Sequence, residues 1–139
     1  MAKLHDEVLK LVRQWVERAE EDLRNAEYTL TLEENCPVGT VCFHAQQCVE
    51  KYLKALLVLQ GVDFPKIHSI PELFALVPAS VRPDLSAEEQ EQLTDYATVC
   101  RYPGDWEPLT REEAELAVKA ARRIREAVRK HLPPAALNG

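Results

Sequence analysis

Apolar residues recur along this chain at three- and four-residue steps, and nowhere alternate with period two over a useful length. Steps of that size put side chains on one face of an α-helix. The first run is Leu4, Val8, Leu11, Val12, Trp15, Ala19, Leu23, Ala26 and Leu30. It predicts a long amphipathic helix of about eight turns. Glu17, Glu20, Glu21 and Arg24 fill its other side, and Asp22 borders the apolar stripe. A carboxylate there needs a partner or partial exposure. The pattern breaks at Glu33-Glu34-Asn35-Cys36-Pro37, where Pro37 suits the first turn of a following helix.

That following helix, residues 41–59, is the stretch around which the chain is organised. Val41, Ala45, Cys48, Val49, Tyr52, Leu56 and Leu59 form its apolar stripe. Gln46, Gln47, Glu50, Lys51 and Lys54 form the opposite face. Glu50 precedes Lys54 by four residues, the favourable order for a helical ion pair worth about 0.2–0.5 kcal/mol. So small a gain does not explain a face this polar. It reads as a solvated surface, the ordinary fate of such residues, or as a binding surface. Gly61 is placed to end the helix as its C′ residue.

Three capping boxes follow: Ser69 with Glu72, Ser86 with Glu89, and Thr110 with Glu113. The helix opened at Ser69 is short, with Leu73, Leu76 and Val77 apolar and Pro78 as its stop. The next carries Leu93, Tyr96, Ala97 and Cys100 on its stripe and halts at Arg101-Tyr102-Pro103. The last carries Ala114, Ala117, Ala121, Ile124 and Val128. The expected fold is therefore all-α: an up-and-down four-helix bundle with an additional short helix, neighbours antiparallel across short connections.

Composition narrows this picture. At 139 residues and 46% hydrophobic, one core is expected over 1–132, with 133–139 as a frayed tail. A net charge of -6 argues against a general nucleic-acid coat, which is usually basic, but not against a local site for a nucleotide or an RNA end. No apolar run approaches the roughly 20 residues of a membrane span. The opening MAKLHDEVLK is acidic where a signal peptide would be apolar, so a soluble cytoplasmic protein without membrane contact is expected. The four cysteines form no CxxC pair, which argues against a disulfide framework. His44 and Cys48 stand at i,i+4, but no second pair completes a metal site, and none is expected.

Candidate chemistry centres on Arg101, at a helix end beside Tyr102 and near Trp106. Its planar fork of donors suits phosphate or carboxylate, or a bundle carboxylate such as Glu50 or Asp22. His68, just before the Ser69 cap, either hydrogen-bonds its connector or reaches a ligand. No Ser-His-Asp set, glycine-rich phosphate loop or paired zinc ligands are visible. The residues favour a binding or interaction role over a reaction.

Ala19-x-x-Asp22-Leu23-x-x-Ala26, then Phe43-x-x-Gln46-Gln47-x-x-Glu50-Lys51-x-Leu53-Lys54-Ala55-Leu56-Leu57, then His68 and Arg101-Tyr102-Pro103, resemble the HEPN domain family over essentially the whole chain. HEPN stands for higher eukaryotes and prokaryotes nucleotide-binding. The resemblance implies a four- or five-helix bundle, often dimeric, working beside a small nucleotidyltransferase as in a toxin–antitoxin pair. It implies a ligand such as ATP or GTP, with no other cofactor. The ligand-binding residues expected on this basis are Gln47, Glu50, Lys51, Lys54, His68, Arg101 and Tyr102. Other family members are metal-independent ribonuclease toxins, with a histidine four to six residues after the arginine. No histidine follows Arg101 at that spacing, so a non-enzymatic role is the first expectation and no catalytic residue is named. Arg125 and His131 match the spacing but sit at the far end of the last helix, where basic side chains also suit the helix dipole. The alternatives are a ribonuclease using Arg101 with His68, and a dimeric interaction module without a ligand.

Overall fold

The computed structural model describes residues 2–99 and 109–137, and every regular element among them is helical. Helix α1 spans Ala2–Leu30, α2 Val38–Leu59, α3 Ile70–Leu76, α4 Ala87–Val99, α5 Arg111–Arg129 and α6 Pro134–Leu137. A single 3-10 turn, Ala79–Val81, follows α3. No described helix is long and apolar enough to cross a membrane.

Local chemistry fixes the helix ends. Gly61, at φ 71, follows the Gln60 C-cap of α2. The Gly61 N–H donates to Val58 O at 3.1 Å and the Val62 N–H to Leu57 O at 2.9 Å. This is a Schellman closure, and its left-handed residue favours glycine. Ser86 and Glu89 form a complete capping box, each side chain accepting from the other's backbone N–H at 3.1 Å. Thr110 accepts from the Glu113 N–H at 3.1 Å, and Ser69 from that of Glu72 at 3.4 Å.

Side-chain pairs give the helix directions. Trp15 meets Lys54, Asp22 meets Lys51 and Thr29 meets Cys36, so α1 and α2 run antiparallel. Glu20 meets Arg125 and Arg129, Glu27 meets Arg122, and the Leu30 and Leu32 carbonyls accept from Arg111, so α5 also opposes α1. Helix α2 touches α1, α3, α4 and α5 and supplies Val41, Cys48, Val49, Tyr52, Leu53, Leu56 and Leu57 to the core. The small residues Ala114, Ala117, Ala120 and Ala121 are buried on α5 and let it pack closely.

Two details depart from the sequence pattern. Leu11 is 44% exposed while Val16 is buried, so the buried stripe of α1 runs through Val12, Val16, Ala19, Leu23 and Ala26. Leu76, read as apolar lining of the short helix, is exposed, whereas Leu73 and Val77 are buried. Inside the stretch expected to fray, α6 packs on α1 with Ala136 buried, and Arg13 Nη1 donates to the Ala135 carbonyl at 2.9 Å.

Candidate functional site

The polar side of α2 is not a solvated surface. Gln46, Glu50 and Lys54 are buried on it at i, i+4 and i+8, with Glu50 only 2% exposed. Four donors converge on the Glu50 carboxylate. Oε1 accepts from Lys54 Nζ at 2.9 Å and faces His68 Nδ1 at 2.7 Å. Oε2 accepts from Gln46 Nε2 at 2.8 Å and Gln47 Nε2 at 3.4 Å. Gln47 also donates to Gln46 Oε1 at 2.7 Å, so the two neighbouring amides brace one another. No buried side-chain nitrogen or oxygen among the described residues lacks a partner, as a desolvated polar cluster requires.

Lys54 is enclosed as well as paired. Its ammonium lies 5.2 Å from the Trp15 ring centroid and 5.9 Å from that of Phe64, in range for cation–π attraction. At 6% exposure, it faces protein on every side. His68 is different: its side chain is 70% exposed. The connector before α3 therefore delivers an imidazole whose inner nitrogen is held by a buried carboxylate while its outer edge meets solvent.

A second carboxylate on the same flank has similar wiring. Asp22 of α1 is buried beside the stripe, with His44 Nδ1 2.8 Å from Oδ1 and Lys51 Nζ 2.5 Å from Oδ2. The His44 side chain is 24% exposed and stands edge-on to Phe43. Cys48 is no thiolate donor, since burial, reinforced by the Glu20 and Asp22 charges, pushes its thiol well above the ordinary range. No group of three or more metal-ligating residues occurs among the described residues.

Of the residues expected from sequence, Gln47, Glu50, Lys54 and His68 come together. Lys51 turns instead to Asp22. Arg101 and Tyr102, with Cys100 of the α4 stripe, lie outside the described residues. Sequence reasoning left Gln46, His44, Trp15 and Phe64 out of the site. Asp22 carried one signal, its position at the edge of an apolar stripe; the pairing of His44 across 22 residues carried none.

Beyond this flank, α1 and α5 enclose a cleft of about 280 Å³ lined by Glu20, Leu23, Arg24, Glu27, Arg122, Arg125 and Glu126. Its charges largely satisfy one another. Arg125 Nε donates to both Glu20 oxygens at 2.9 and 3.0 Å, and Arg122 Nη2 to Glu27 at 2.5 Å. Burial alone would favour loss of the Arg125 proton, but its hydrogen bonds to Glu20 outweigh that and hold the proton more tightly. Arg129 donates to Glu20 at 2.9 Å and to the Tyr52 hydroxyl at 3.3 Å. Burial pushes that phenol well above its usual range despite the arginine.

The family model described as HEPN domain matches residues 12–131. The chain is 33% identical over 140 residues to "Putative toxin MJ1304" of Methanocaldococcus jannaschii, the match covering 89% of this chain and 90% of that protein. The crystal structure of TT1696 from Thermus thermophilus shares 33% identity at a TM-score of 0.72, over 87% of this chain and 98% of that one. That of ST0689, an archaeal HEPN homologue, shares 27% identity at a TM-score of 0.65, over 88% and 98%.

Proposed function

The chain belongs to the HEPN domain family, and from that premise we propose that it is the HEPN member of a toxin–antitoxin-like pair. In this reading it performs no chemistry itself. It binds a nucleotide such as ATP or GTP, a small nucleotidyltransferase, or both, and it works as a homodimer. The binding surface is the flank of α2 that carries Gln47 and Lys51, with His68 from the connector before α3; Arg101 and Tyr102 are assigned to it from the sequence alone. Glu50 and Lys54 serve that surface from beneath.

One observation supports this reading above the others: Glu50, 2% exposed, gathers Gln46, Gln47, Lys54 and His68. Such a cluster is a poor way to hold a helix, because desolvating two charges offsets most of their attraction. The other side of α2 already anchors it through Val41, Ala45, Cys48, Tyr52 and Leu56. A costly, fully satisfied polar array with an imidazole at its open edge is better explained by what it presents outward. Isothermal titration with ATP and GTP tests this. Heat of binding is expected, alone or with the nucleotidyltransferase present; no heat under either condition contradicts the nucleotide reading.

A second reading draws on the same histidine. An exposed imidazole held through Nδ1 by a buried carboxylate is what general acid–base chemistry uses, and a relative bears the name of a toxin. In that case Arg101 and His68 cleave RNA without a metal. Strong expression should then arrest growth, and Arg101→Ala or His68→Ala should relieve it. Normal growth with intact RNA ends this reading.

A further inference from the structure

We propose that Glu50 and Lys54 act as a positioning pair that presents His68 Nε2 as a hydrogen-bond acceptor for a ribose hydroxyl. The hydroxyl assignment rests on the nucleotide reading above; the positioning does not. The Glu50 carboxylate receives an ammonium at 2.9 Å and an amide N–H at 2.8 Å. With N–H donors aimed at both of its oxygens, this carboxylate acts as an acceptor. The imidazole nitrogen 2.7 Å from Oε1 must then carry the hydrogen, which fixes the proton on Nδ1. In the neutral ring, Nε2 is left with the lone pair, on an imidazole that is 70% exposed.

Lys54 is the buried partner of this carboxylate. Held by Trp15 and Phe64 at 6% exposure, it is not available to a ligand's phosphate. Its charge offsets that of Glu50, so the carboxylate does not need an imidazolium as counterion. His68 therefore meets a ligand with its exposed Nε2 edge, which suits a hydroxyl donor. At Asp22 the same pattern of imidazole, carboxylate and ammonium is repeated, yet His44 is largely covered at 24% exposure. The open acceptor therefore belongs to His68. ATP, GTP and RNA differ in their base donors but share the ribose hydroxyl, which makes it the group a common site would read.

Long-range proton–nitrogen correlation spectra of the full chain, recorded over a range of pH that includes the neutral ring, test the positioning. His68 is expected as the Nδ1–H tautomer. Lys54→Met leaves Glu50 without its buried ammonium, so the ring should keep both protons to higher pH, and Lys54→Arg should restore the wild-type behaviour. An Nε2–H ring in the wild type, or a pH dependence of the ring signals that Lys54→Met leaves unchanged, overturns the positioning. The same His68 signal then reports on ligand. ATP should shift it, and the 2′,3′-dideoxy analogue should bind about tenfold more weakly. Equal binding overturns the hydroxyl assignment while leaving the nucleotide reading intact. No response to either removes both, and the tautomer still decides the positioning.

Discussion

Helix α1 is tied to α5 and to α2 by charged side chains built in opposite ways. Toward α5, Arg122 meets Glu27 and Arg125 meets Glu20 in pairs that solvent still reaches. Toward α2, Asp22 holds Lys51 and His44 at a half-covered edge. One step further into that flank, Glu50 and Lys54 are almost wholly buried. Exposed pairs are screened and contribute roughly 0–1 kcal/mol each, enough to favour one alignment of α1 and α5 without dominating stability. Gln46, Glu50 and Lys54 are desolvated, so each of the three depends on the other two. Strong mutual dependence around a group that adds little net stability distinguishes a presented site from a fastening.

The contrast between the two faces is most exposed to test at Glu50. Glu50→Ala should cost about 3 kcal/mol or more, since Lys54 is left as an uncompensated buried charge. The midpoint of urea unfolding measures it, and a loss under about 1 kcal/mol would place Glu50 with the surface pairs. The double change Glu50→Met with Lys54→Met separates the two kinds of pair further. Relative to Glu50→Ala it should regain roughly 1–2 kcal/mol because no charge remains buried alone. Recovery should be incomplete, because Gln46 Nε2 loses its acceptor.

Glu89 gives a smaller effect, with a pH signature. Burial raises its affinity for a proton, but the hydrogen bonds from Arg123 and from the Ser86 backbone outweigh that and hold it below the ordinary 4.5. A carboxylate depressed in the folded state contributes stability above its unfolded value and loses it as pH falls through the folded one. Glu89→Gln should therefore be less stable than the parent at neutral pH, with the difference shrinking below about pH 4.5. A difference constant with pH would contradict this. Smallest of all, Glu27→Ala on the α1–α5 face should change stability by about 0.5 kcal/mol or less.

Much of the fold was legible because its signals are local. Ser69, Ser86 and Thr110 announce helix starts through bonds spanning three residues, and Gly61 closes α2 through its own φ. The Glu50–Lys54 pair was legible for the same reason, as both lie on one helix. The burial of the polar flank was not. Periodicity says which residues share a face but not what covers it, and here the cover comes from Trp15 on α1 and Phe64 in a connector. Leu11 and Val16 show the same limit, since neighbours rather than hydropathy decide which edge of a wide stripe is buried. The partners of Asp22 were hidden because His44 and Lys51 come from another helix, 22 and 29 residues away.

The functional account turns on the α2 flank presenting His68 to a ligand or partner. The decisive measurement is a titration of ATP into the wild type and into His68→Ala, matched for thermal stability. His68 is an exposed residue whose removal should leave the bundle folded. Affinity is expected to fall about tenfold or more in the variant; unchanged affinity in a folded His68→Ala protein would refute that role for the flank.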